Sequence, residues 1–136
     1  MEKDEKRLTE HFRMDEFVYS AVEFGLNNAL PSEVIPVIRN LTVRLLEPLR
    51  IYHRQPMYIM SGYRSEELNR LVGGAPSSQH MKGEAVDIYT VDRNRLLEDL
   101  VASCLNFDQA ILYRTKGFIH LSLKKHGVNR KQILFK

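Results

Sequence analysis

Apolar residues recur at steps of three and four along the first half of the chain. Val34, Val37, Ile38, Leu41, Leu45 and Leu49 share one face of a long helix, with Ser32 as its expected N-cap and Pro36 tolerable because it falls in the first turn. Phe17, Val18, Ala21 and Phe24 predict a shorter helix from Met14 to Phe24, closed by Gly25. Leu96, Leu97, Leu100 and Val101 predict another from about Asp92 to Ser103, and Ser65 to Val72 reads as a short helix stopped by Gly73-Gly74. Four further apolar runs are too short for helices and read as strands: Met57 to Met60, Ala85 to Tyr89, Gln109 to Tyr113 and Phe118 to Leu123. The last two form a hairpin through Arg114-Thr115-Lys116-Gly117, where Gly117 is expected to take a positive φ.

Alternation along that hairpin separates two faces. Ile119, Leu121 and Leu123 belong to the core, so Phe118, His120 and Ser122 point to the other side. Pairing Tyr113 with Phe118 puts Ile111 opposite His120 and Gln109 opposite Ser122, which makes Gln109 and Tyr113 candidate cleft residues. Asp87 and His120 each interrupt an apolar strand, and a buried polar group needs a partner. His80 is expected on the loop Ala75 to Gln79, with Gly83 bending the chain between it and Asp87. Two imidazoles and one carboxylate suit a catalytic zinc, which keeps its fourth position open. A structural cage of thiolates is impossible with one cysteine.

Composition narrows the class. A chain of 136 residues fits one domain spanning 1–136, for which residues 1–13 are expected to be flexible. The net charge of +3 is mildly basic, but Lys124-Lys125-His126 and Arg130-Lys131 lack interleaved aromatics, so no nucleic acid partner is expected. No apolar run reaches the roughly 18 residues of a membrane span. The charged opening Met1 to Arg7 is not followed by a signal-peptide core, so cytoplasmic synthesis is expected, with export by another route if the chain acts outside. Cys104 reads as a small buried hydrophobe beside Leu100, Val101 and Leu105, and a monomer is expected.

The segment Ser78-x-His80, with Gly83, Ala85 and Asp87 after it and Phe118-Ile119-His120 later, resembles the zinc D-alanyl-D-alanine carboxypeptidase-like peptidases of cell-wall metabolism, which include phage endolysins. Ser61-Gly62-Tyr63-Arg64-Ser65 and Phe107-Asp108-Gln109 look like further blocks of that family. The resemblance implies one zinc ion on His80, Asp87 and His120. It implies that Arg64 binds and polarises the substrate carbonyl and that Ser78 contacts substrate. It also implies peptidoglycan peptides or their precursors as substrate, cut at a D-amino-acid-containing bond by a bacterial or phage enzyme in the periplasm or cell wall. The expected fold is α+β, with helices packed on a small, mainly antiparallel sheet, as in the fold the family shares with the hedgehog signalling domain.

One position departs from the pattern. Relatives carry an acidic general base three residues before the last histidine, where this chain has Gly117. Glu84 is expected to face away from Asp87, Asp108 falls on the core side, and His126 lies beyond the strand. The alternative reading is therefore a noncatalytic zinc-containing module that binds cell-wall peptide or a protein. A serine hydrolase built on Ser78, His80 and Asp87 has no nucleophile elbow around the serine and leaves His120 unexplained.

Overall fold

The computed structural model describes residues 6–18 and 28–136. The long helix is present as α1, residues 35–53, in three contiguous segments: α-helical Ile35–Leu41, a π-helical turn Thr42–Leu46 and α-helical Glu47–His53. Pro48 accounts for the wide turn. It has no N–H to give to the carbonyl one turn back, and its ring would crowd that carbonyl. Opening the ladder just before it relieves both problems, and the Glu47 N–H donates to the Thr42 carbonyl instead. At the start of α1, Ser32 is not the cap: Val34 holds that place without a side-chain bond, and Pro36 sits in the first turn. Ile38, Leu41, Leu45, Leu46 and Leu49 are fully buried.

Of the helix expected over Met14 to Phe24, the described part is a 3-10 turn, Met14–Phe17, while Ala21, Phe24 and Gly25 lie outside the described residues. Phe12, within the stretch expected to be flexible, is fully buried, and the His11 N–H donates to Glu47 Oε1 at 2.7 Å. Helix α2 is Glu66–Leu71, capped by the Ser65 hydroxyl, and α3 is Arg93–Ala102, capped by Asp92. Leu96 and Leu100 of α3 are buried, but Val101 is exposed, so the apolar stripe is narrower than its sequence suggests. Cys104 is exposed rather than buried. The helix has ended at Ala102, and the chain turns through a left-handed residue at Cys104, φ 59°, that carries the thiol outward.

Five strands form one sheet: β1 Tyr58–Ser61, β2 Ala85–Tyr89, β3 Gln109–Leu112, β4 Ile119–Ser122 and β5 Gln132–Phe135, in the order β1-β2-β4-β3-β5. All neighbours are antiparallel except β3 and β5. The parallel fifth strand was not anticipated. The hairpin register is the expected one, with Ile111 opposite His120, but its turn closes without a positive φ at Gly117. Val86, Ile88, Ala110, Ile119 and Leu121 are buried in the core cluster with α1 and α3. The other face carries Asp87 opposite His120, and Ser61 opposite Asp87 across a bulge in β1. This is an α+β fold of helices on a mainly antiparallel sheet. Among the described residues, no helix is long and apolar enough to cross a membrane.

Candidate metal centre

The residues His80, Asp87 and His120 come from three different elements and meet at the open face of the sheet. Asp87 and His120 are paired across β2 and β4, so their side chains leave the same face side by side. His80 arrives from above on a 3-10 turn, Gln79–Lys82, rather than on an irregular loop. That turn is capped by Ser78, whose hydroxyl accepts from the His80 N–H at 3.2 Å, and it is ended by Gly83 in a left-handed conformation, φ 77°. A Cβ on Gly83 would also meet Val34 Cγ1 at 2.6 Å, so both conformation and space call for glycine.

The donor atoms of His80, Asp87 and His120 all lie within 4.8 Å of one another, a spacing that could hold a metal ion. Asp87 Oδ1 is 3.4 Å from His80 Nε2 and 3.0 Å from His120 Nδ1. His80 donates Nδ1–H to the Gly62 carbonyl at 2.8 Å, which fixes the tautomer and leaves Nε2 for the centre. Asp87 is buried. Burial pushes its carboxyl up, but the hydrogen bonds and charges of His120 and His80 override this and hold it well below the usual carboxylate range.

Arg64 closes the back of the group. Its Nη2 donates to Asp87 Oδ2 at 3.2 Å, Nη1 to Asn69 Oδ1 at 3.3 Å and Nε to Ser61 Oγ at 3.1 Å. The remaining N–H groups of the guanidinium are not used in these bonds. Asn69 in turn donates to the Ala75 carbonyl at 2.9 Å, and Asn28 spans the Tyr63 carbonyl and the Ser65 N–H. Neither asparagine was singled out from sequence. The only signal was a polar residue next to Leu68 on the inward side of a short helix.

A cleft of about 430 Å³ opens over the group and is lined by Arg64, Ser78, His80, Asp87, Gln109, Tyr113 and His120, so every sequence-predicted site residue borders one space. Lys116, Phe118 and Arg130 complete the rim. A larger cavity of about 690 Å³ lies elsewhere, at the end of α1 beside His53 and Asp99, and none of the predicted site residues border it. Asp108, on the core side as expected, is fully buried and accepts from Arg130 at 2.6 Å and from Gln79 at 3.1 Å. It ties the turn bearing His80 to the segment before β5, a role the sequence did not reveal because Arg130 lies 22 residues away. Glu84 accepts from Gln79 and does not border the cleft.

With the geometry in place, comparison with protein families matches the peptidase M15 model to residues 10–122. The chain belongs to the peptidase M15 family, the zinc D-Ala-D-Ala carboxypeptidase-like peptidases. Membership makes it a metallopeptidase with peptide substrates. No curated protein matches the chain.

Proposed function

We propose that this protein is a zinc-dependent peptidase that hydrolyses a D-amino-acid-containing peptide bond in peptidoglycan or its precursors. The observation that carries the reading is the meeting of two imidazoles and one carboxylate, from three elements, with donor atoms within 4.8 Å. The donor set fits zinc in a catalytic setting, since three protein ligands leave a position for water or substrate. His80, Asp87 and His120 would hold the ion. When bound, zinc supplies Lewis acidity and lowers the pKa of water toward about 7.

The protein's own residues do the rest. His80 is held in one tautomer by Gly62, and Asp87 carries its negative charge at neutral pH, steadied by Arg64. The N–H groups of Arg64 not committed to Asp87, Asn69 and Ser61 border the cleft and can meet a substrate carbonyl. Ser78, Gln109 and Tyr113 line the walls along which the peptide lies. Water adds to the carbonyl carbon, the C–N bond breaks, and the leaving amine takes up a proton.

A second reading, a noncatalytic zinc module that binds cell-wall peptide or a protein, draws support from one observation. Gly117 offers no proton acceptor, and the described residues bordering the cleft include no glutamate and no aspartate other than Asp87.

Metal analysis of the wild type and His80→Ala, together with amine release from purified muropeptides in zinc and in chelator, tests the proposal. Stoichiometric zinc lost in the variant, with chelator-sensitive cleavage, is the expected result. Zinc without cleavage would favour the binding module, and no zinc would overturn both.

A further inference from the structure

Several polar groups bordering the cleft have donors committed within the protein. Gln79 Nε2 donates to Asp108 and Glu84, and Gln109 Nε2 to Gln132 Oε1 at 2.7 Å. Arg130 is held by Asp108 through Nε and Nη2, and Arg64 makes one bond from each of its nitrogens, keeping one further N–H on each Nη. Tyr113 is different. Its ring is half-buried and fixed from two sides: it meets Phe118 edge-on, with centroids 5.4 Å apart at 67°, and Lys116 Nζ lies 4.7 Å over its face. Its hydroxyl forms no hydrogen bond among the described residues. A ring held by packing at the border of the cleft, around an O–H that no group of the protein occupies, presents a placed donor that a ligand can take over from solvent.

The hydroxyl also stands in the right field. Tyr113 lies two residues beyond Ile111, which faces His120, and so continues the face that carries the metal group. It is close enough to feel the charges of both Asp87 and Arg64. Burial raises the phenol above its ordinary value, Asp87 adds to that, and Arg64 opposes it, so the group keeps its proton.

We propose that Tyr113 is a catalytic hydrogen-bond donor, its phenol O–H meeting the scissile carbonyl oxygen as that oxygen gains negative charge. The inference rests on the peptidase reading above and gives Tyr113 a task beyond lining the cleft. No atom is transferred: the phenol keeps its proton throughout, and only a hydrogen bond strengthens. The bond is aimed at charge that develops during reaction, so it lowers the barrier more than it tightens substrate binding.

The test uses Tyr113→Phe in the whole zinc-loaded protein. The ring contacts with Phe118 and Lys116 survive this change and only the O–H is lost. Cleavage of muropeptides should fall in kcat by about 10²-fold, with KM altered by no more than about threefold and zinc content unchanged. A phosphinate analogue of D-alanyl-D-alanine mimics the charged tetrahedral state, and its binding by calorimetry should weaken by a comparable factor. Wild-type cleavage with an equally active variant overturns the role of Tyr113 alone. A raised KM with unchanged kcat reduces Tyr113 to ground-state binding and also overturns it. Absence of cleavage by the wild type overturns the peptidase reading and this inference together.

Discussion

Gly62 is kept as glycine by its neighbour rather than by its own backbone conformation. A Cβ there would lie 2.7 Å from Phe17 Cα and 2.8 Å from the Phe17 carbonyl oxygen, and the backbone cannot yield as a side chain would. The Gly62 carbonyl is also the acceptor that orients His80, and the next residue, Tyr63, donates its N–H to the same Phe17 carbonyl. Gly62→Ala should therefore weaken zinc binding by about 10- to 100-fold while leaving all three ligands in place, as measured by competition with a chromogenic chelator. Unchanged affinity would show that the Gly62 contact is not needed for His80. At this scale the sequence was informative wherever chemistry is carried by residue type. His80, Asp87 and His120 stand out as polar interruptions or as part of a motif, whereas Gly62, Asn28 and Asn69 act through contacts that only the folded chain creates.

Between elements, the buried pair His53 and Asp99 joins α1 to α3. His53 Nδ1 lies 2.7 Å from Asp99 Oδ2, and Nε2 lies 3.1 Å from Thr90 Oγ1, whose hydroxyl donates to the Pro56 carbonyl at 2.9 Å. Burial pushes the Asp99 carboxyl up, but hydrogen bonds from His53 and Arg95 outweigh this and hold it down. His53→Leu would strip one partner from a buried carboxylate and should cost on the order of 3 kcal/mol, read from urea unfolding. A cost near zero would mean that Arg95 alone suffices for Asp99. Helix α3 and strands β1 to β4 could be foreseen because their apolar spacing is regular. The π-helical turn was hidden because apolar spacing does not register a single widened turn, and Pro48 was the unread signal. Strand β5 was missed because the apolar triplet Ile133-Leu134-Phe135 is shorter than the runs that were read as strands, and its partner β3 lies parallel to it across an intervening segment. The four-residue turn carrying His80 is too short to have a period at all.

Across the whole molecule, Asp108 links three regions: the turn that carries His80, the start of β3, and the segment leading to β5. Hydrogen bonds from Arg130 lead the effects on its carboxyl and, against desolvation, lower it from 3.8 to about 2. A folded pKa below the unfolded one adds stability that is complete above roughly pH 4 and is lost as pH falls through about 2. Allowing for screening at the half-exposed Arg130, the contribution is on the order of 1 to 2 kcal/mol. Arg130→Met should lower stability at pH 7 and flatten the acid limb between pH 4 and 2, as read from unfolding midpoints across that range. An acid limb as steep as the wild type's would remove the pair from the account.

Asp87 and His120 oppose each other in only one alignment of β2 and β4. A slip of one residue would set Asp87 against Ile119 or Leu121 and swing His120 into the core. Under the proposed reading, the ligand set therefore exists only in the correct register, and a misaligned chain stays unarmed. On that reading correct assembly and the capacity to cut become a single event, so no chain can gain the second without the first.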